Sequence, residues 1–221
     1  MRQAGAMDNI SCNTNTPQDM AVYRSSQHPT TPVLTKKQAS NPSLDVIIMH
    51  SDKILTFADQ FVISCGTISV DIPRQKVLLL HSHDRGIVVL PKGRKNRGEN
   101  LESAAIRETT EETGYSCQLL PHTAPVKAPL DSHGQSEMTS SGPHTEPIAV
   151  QQWMYSDGVR KLIFWFIAVA DSTETPSVPV EDGAMFEARW HSFGDAGQQL
   201  SFPEDRLMVE KAIGIVQAPG T

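Results

Sequence analysis

Residues 93–115 read GRKNRGENLESAAIRETTEETGY, and they constrain the chain more than any other stretch. Glu108 precedes Glu111 and Glu112 by three and four residues, so on a helix the three carboxylates share a face. Like charges at that spacing destabilise an isolated helix, so the fold has to bring positive charge to them. Arg107 is spaced to pair with Glu111 at i+4, which would orient one carboxylate. Carboxylate oxygens are the hard ligands that magnesium and manganese take, and such ions keep waters and hold substrate phosphates. The array therefore points to metal-assisted phosphate chemistry. Gly93 stands where a strand ending at Leu90 turns toward the helix. A glycine there lets the backbone approach a ligand, and its carbonyl is a further oxygen donor. Glu99, at the helix entrance, complements the helix dipole. For any single glutamate here, a solvated helix face laced with salt bridges is the competing reading.

The rest of the chain supplies the frame. In residues 1–45, Ser, Thr, Asn, Gln and Pro fill 22 positions and Tyr23 is the lone aromatic. Such a stretch buries too little apolar surface to offset its ordering entropy, so residues 1–44 are expected to form a disordered polar tail. The domain is expected over 45–217, with a flexible insertion at 131–145 and a short tail at 218–221. Apolar runs at 45–49, 61–65, 68–70, 76–80 and 86–90 read as strand material, the last two as a hairpin. A helix is expected from Asn100 to Thr113, stopped by Gly114. Strands should follow at 115–120, 148–155, 161–170 and 184–193. A closing helix should run over 203–216, with Ser201 as its cap and Leu207, Ala212, Ile213 and Val216 on its buried face. Mixed strands with two helices suggest an α/β sandwich, not a doubly wound sheet.

The 93–115 stretch resembles the signature of the Nudix hydrolases, G-x(5)-E-x(7)-R-E-U-x-E-E-x-G-U, where U is a bulky apolar residue. Gly93, Glu99, Arg107, Glu108, Glu111, Glu112 and Gly114 fill every fixed position, and Tyr115 fills the last apolar one. Thr109 departs from the apolar preference. The resemblance implies an α/β (α+β) fold, the Nudix-type α/β/α sandwich with a mixed β-sheet. It implies hydrolysis of a diphosphate linkage in a small-molecule phosphoanhydride, with Mg2+ or Mn2+ as cofactor. Carried over by position, Glu108, Glu111, Glu112 and the Gly93 carbonyl would surround the metal. One glutamate of the Glu111–Glu112 pair would orient or deprotonate the attacking water, with Arg107 beside it and Glu99 behind. A Nudix-fold module that binds without turnover would show a degraded motif, and this one is intact.

Substrate choice rests on the flanks. Leu90-Pro91-Lys92-Gly93 is similar to the L-P-K-G approach of Nudix enzymes acting on dinucleoside polyphosphates and diphosphoinositol polyphosphates. Lys92, Arg94, Lys95 and Arg97 make the following loop basic within a chain of net charge −6, which suits a substrate rich in phosphate. Arg160 and Lys161 add positive charge after the Asp157-Gly158 turn. Diadenosine tetraphosphate and ADP-ribose are the alternative substrates. Trp153, Tyr155, Phe164 and Trp165 offer stacking surfaces but fit a core equally well. The acidic balance argues against a generally basic nucleic-acid binder.

Three cysteines are too few and too scattered for a disulfide scaffold or a four-ligand zinc site, and fit a reducing compartment. No apolar run reaches the length of a membrane span, and the N-terminus lacks a secretory apolar core. A cytoplasmic or nuclear location is the expectation. His81 and His83 read as a solvated loop pair. Glu181, Asp182 and Glu187 are candidates for an extra acidic ligand. Cys65 and Cys117 fit core positions.

Overall fold

The computed structural model describes residues 54–128, 142–177 and 186–218. The expected tail, the run at 45–49 and residues 131–141 of the expected insertion lie outside them. So do Cys12, Glu181 and Asp182.

The architecture is an α/β/α sandwich around one mixed sheet of eight strands. Its spine is β1 (Phe61–Asp71) beside β7 (Arg160–Val169), parallel over ten residue pairs from Phe61↔Arg160 to Val70↔Val169. The other edge of β1 is shared. β4 (Lys92–Arg94) covers its start, and β2 (Lys76–Ser82) turns back against its end. β2 carries β3 (Ile87–Val89) and β8 (Glu187–Ser192), both antiparallel. β6 (Ala149–Met154) and the short β5 (Gln118–Leu119) line the far side of β7.

Alternation along the spine divides the core. Cys65 and Phe166 face helix α1 (Leu101–Thr113) and its Ala104 and Ala105. Ile68, Val70, Ile163, Trp165 and Ile167 face the opposite layer, α2 (Ala196–Gln199) and α3 (Pro203–Val216). Both faces of β1 are covered, so Thr67, Ser69 and Asp71, which alternate with Ile68 and Val70, are buried and do not face solvent. No helix among the described residues is long and apolar enough to cross a membrane.

Several local expectations are corrected. The runs at 61–65 and 68–70 are one strand, and Gly66 does not break it. A side chain at 66 would strike the Pro91 carbonyl oxygen, lie 2.6 Å from Trp165 and 2.7 Å from the Lys92 side chain, so glycine serves close packing here. The basic stretch begins as strand β4, because its backbone pairs with β1. The expected strand at 115–120 narrows to two residues. Ser201 does not cap α3. Phe202 occupies that position without a side-chain bond, while Ser201 Oγ accepts from the Val88 N–H at 2.9 Å. Leu207 is 65% exposed, since Met208, Val209, Ala212, Ile215 and Val216 take the buried stripe. Residues 142–145, the described end of the expected insertion, include His144, whose backbone bridges to His122.

Thr109 has a physical account. Its hydroxyl lies 2.8 Å from that of Thr67 on β1, which in turn lies 2.7 Å from Ser69 Oγ, all buried between sheet and α1. A bulky apolar residue would interrupt this chain of hydroxyls. Thr109→Val removes one buried hydrogen bond at nearly constant shape, and should cost about 1 kcal/mol. That corresponds to a drop of roughly 2–4 °C in melting temperature for a domain of this size, measurable by calorimetry. An unchanged melting temperature would contradict the account.

Asp71 closes β1. It accepts from the Arg74 N–H and guanidinium at 3.1 Å and from the Ser172 N–H at 2.9 Å. Burial alone would raise its carboxyl, but these bonds hold it down at about 2, against 3.8 for a free aspartate. The folded value is the lower one, so this stabilisation is present above pH 3.8 and is lost as pH falls through 2. Asp71→Asn should flatten the acid limb of the stability–pH curve over that window, as read by urea titrations at successive pH values.

Candidate active site

The signature residues occupy one strand–loop–helix unit. Asn100 caps α1 by accepting from the Ser103 N–H at 2.7 Å. Gly114 ends it at φ 73°, the left-handed conformation that glycine adopts without penalty. Between these stops the carboxylates face β4.

Arg107 ties this face together. Its Nε donates to Glu99 at 2.8 Å, Nη1 to Glu108 at 2.7 Å and Glu111 at 2.8 Å, and Nη2 to Glu99 at 2.9 Å and the Arg94 carbonyl at 3.0 Å. The expected Arg107–Glu111 pair is present, but the guanidinium orients three carboxylates, and a rigid fork suits that task. In this geometry Arg107 is a positioning residue, acting through the groups it holds. Its hydrogen bonds hold Glu99 below the usual carboxylate range.

The other carboxylates differ in setting. Glu108 is mostly buried, and burial raises its carboxyl against the opposing pull of Arg107. Glu111 is exposed, its side chain 58% accessible. Glu112 turns inward and accepts from the Lys92 N–H at 2.7 Å. Burial pushes its carboxyl up to about 7, opposed by the Lys92 charge and N–H and, more weakly, by Lys161. Gly93 is required sterically, because a Cβ there would coincide with the Glu108 carboxylate.

The donor set fits a hard divalent cation by chemistry: three carboxylates and a backbone carbonyl on one strand–helix junction. Among the described residues no group of three such side chains forms a ready-made cage. Glu108 and Glu111 each give one oxygen to Arg107, and Glu112 gives one to Lys92.

The four cations of the basic stretch separate. Gly93 faces α1, so Lys92 and Arg94, its neighbours on β4, face the other side of the sheet. Lys95 folds onto the Asn96 carbonyl at 3.0 Å, and Arg97 is exposed. Two charged residues near the site are buried, which the sequence did not lead one to expect. Asp205, on the first turn of α3, is buried; burial raises its carboxyl to about 6 while the Lys92 charge opposes this. Lys161 is buried with its ammonium over Trp153. Neither is signalled by spacing, since burial of a charged residue depends on strands remote in sequence.

The remaining candidates settle elsewhere. Trp165 is core and Phe164 packs against the α1 layer. His81 stacks on His191, with ring nitrogens 2.8 Å apart, and His83 pairs with Glu187 at 2.7 Å. Glu187 is also held by Arg189. Burial pushes the thiols of Cys65 and Cys117 up to about 12 and about 11, so both are unreactive core groups near neutral pH.

Residues 63–211, more than half of the chain, match the NUDIX domain family. The chain belongs to the NUDIX family. A Bacillus subtilis (strain 168) protein named as an 8-oxo-dGTP diphosphatase is 47% identical over 45 residues, which span 20% of this chain and 30% of that protein. A NUDIX-family hydrolase from Clostridium perfringens is 21% identical, aligned over 72% of this chain and 98% of its own at a TM-score of 0.48. A C. elegans Ap4A hydrolase is 17% identical over 68% of this chain and 93% of its own, at a TM-score of 0.46.

Gly93→Ala should leave the sheet intact, because β4 pairs through its backbone, yet displace the Glu108 carboxylate. We expect a far-ultraviolet spectrum like the wild type's and hydrolysis reduced at least tenfold. Retention of full activity would refute the steric requirement.

Proposed function

We propose that this NUDIX hydrolase is a metal-dependent pyrophosphohydrolase that cleaves a diphosphate linkage in a highly phosphorylated small molecule. Diphosphoinositol polyphosphates and diadenosine polyphosphates are the preferred classes. The observation that carries the reading is the double use of β4. Its backbone anchors the acidic face, through the Lys92 N–H on Glu112 and the Arg94 carbonyl on Arg107, while the Lys92 and Arg94 side chains put positive charge on the same strand. A polyanion can thus meet cations within a few residues of the carboxylates that act on it.

Glu108, Glu111, Glu112 and the Gly93 carbonyl would hold Mg2+ or Mn2+. When bound, such an ion neutralises phosphate charge and lowers the pKa of a coordinated water. Arg107 keeps Glu108 and Glu111 oriented. Glu111, the exposed member of its pair, orients the attacking water through its carboxylate, and Glu112 stays anchored beside Lys92. Lys92 and Arg94 bind phosphate oxygens next to the scissile linkage, and Lys95 and Arg97 add long-range attraction.

A second reading, a nucleoside triphosphate or other nucleoside diphosphate derivative as substrate, is favoured by the short match to the protein named as an 8-oxo-dGTP diphosphatase. The deciding experiment is hydrolysis of a panel in magnesium and in manganese: a diphosphoinositol pentakisphosphate, diadenosine hexaphosphate, diadenosine tetraphosphate, ADP-ribose and 8-oxo-dGTP. We expect the first two to have the highest kcat/KM. Neutralising Arg94, Lys95 and Arg97 should raise KM for them more than for ADP-ribose, and equal effects would remove the role of the basic stretch. Glu111→Gln and Glu112→Gln should each stay folded and lose about 100-fold or more in turnover. Wild-type turnover in both would overturn the catalytic assignment and leave a binding module.

A further inference from the structure

One long edge of the sheet has no partner strand among the described residues. β6 pairs with β7 on one side only. The Tyr155 N–H donates to the Val159 carbonyl at 2.8 Å, which fixes the phase of this hairpin. Backbone groups alternate sides along an antiparallel strand. Those of Gln151 and Trp153 therefore turn inward to β7, and those of Val150, Gln152 and Met154 turn outward.

The outward residues are also the exposed ones. Val150 is 62% and Met154 50% accessible, and Gln152 between them is exposed. They stand beside Phe164, Leu162 and Arg160 of β7, on the sheet face that carries Phe166 and α1. Three more exposed apolar residues, Ile54, Leu55 and Phe57, lead into Phe61, which lies in one row with Arg160 and Met154. Clustered exposed apolar side chains of this kind mark an interaction surface. The edges of a monomer's sheet usually carry a charge, a proline or a bulge that discourages pairing. β6, AVQQWM, has no charged residue and no proline, and its pairing with β7 runs unbroken from Ala149 to Met154.

The strand is also self-complementary. An antiparallel second copy on a two-fold axis at Gln152 sets Val150 opposite Met154 of that copy, twice, and Gln152 opposite itself. The outward N–H and C=O groups then bond across the axis, the exposed apolar side chains cover one another, and the two glutamine amides exchange hydrogen bonds.

We propose that β6 is a homodimer edge: two copies of this chain join β6 to β6, antiparallel about Gln152, and make one continuous sheet. β1 and β7 lie between β6 and β4, so each copy keeps its own acidic edge.

The test is sedimentation velocity of the full chain over a concentration series. We expect a monomer–dimer equilibrium in the wild type. Gln152→Lys and Gln152→Glu each set like charges across the axis, and each should weaken the dimer at least tenfold. Mixed in equal amounts, the two variants should recover wild-type association, because lysine then faces glutamate. Both replace an exposed side chain, so their far-ultraviolet spectra should match the wild type's. Amide hydrogen exchange gives an independent reading: at Val150, Gln152 and Met154 it should slow at least tenfold as wild-type concentration rises through the dissociation constant, while that of Trp153 stays constant. A wild type that remains monomeric throughout overturns the proposal and assigns the edge to another segment of this chain or to a different partner. A dimer that Gln152→Lys leaves intact overturns it too, since such a dimer joins elsewhere. So does an association that the mixture fails to restore. If either glutamine variant does not fold, the exchange measurement alone decides.

Discussion

The acidic edge depends on one contact that only glycine permits. The Glu108 carboxylate occupies the space where a side chain at 93 would stand, so α1 can press against β4. That approach brings the Lys92 N–H within reach of Glu112 and the Arg94 carbonyl within reach of Arg107. Four acidic groups then share one guanidinium and one strand backbone. The repulsion expected along α1 is met by Arg107 and by inward burial, which raises Glu108 and Glu112 above the usual carboxylate range. The oxygens gathered at this edge are hard donors, the chemical reason that it suits hard divalent cations.

What could be read from the sequence divides by range. The helix at 101–113 was legible because its signals are local: carboxylates at helical spacing and a Gly stop. The hairpins flanking 81–86 and 155–159 were legible for the same reason. Strand β4 was not, because KGR has no apolar alternation and becomes a strand only where β1 offers its edge. Leu207 misled because several stripes fit a fourteen-residue helix, and packing against the sheet chose another. Thr109 looked like a lapse in the signature until its partners, Thr67 and Ser69, were seen more than thirty residues away.

The same limit applies to the cations. Sequence proximity grouped Lys92, Arg94, Lys95 and Arg97, whereas strand alternation assigns the first two to a sheet face and leaves the others at the loop. Lys161, distant in sequence, joins that face through β7. Lys92, Arg94 and Lys161 are therefore placed by the sheet, and Glu108, Glu111 and Glu112 by the helix, and β4 is the seam where the two sets meet.

The long β1–β7 pairing also bears on how the domain forms. Phe61 finds Arg160, and Val70 finds Val169, so each contact closes a loop of roughly a hundred residues. During synthesis, β1, β4 and α1 emerge well before the strand that covers the other edge of β1. Until then that edge offers a row of unmet backbone groups and apolar side chains, the kind of template that invites pairing with another chain. A topology of this kind links the rate of folding to the arrival of one late strand.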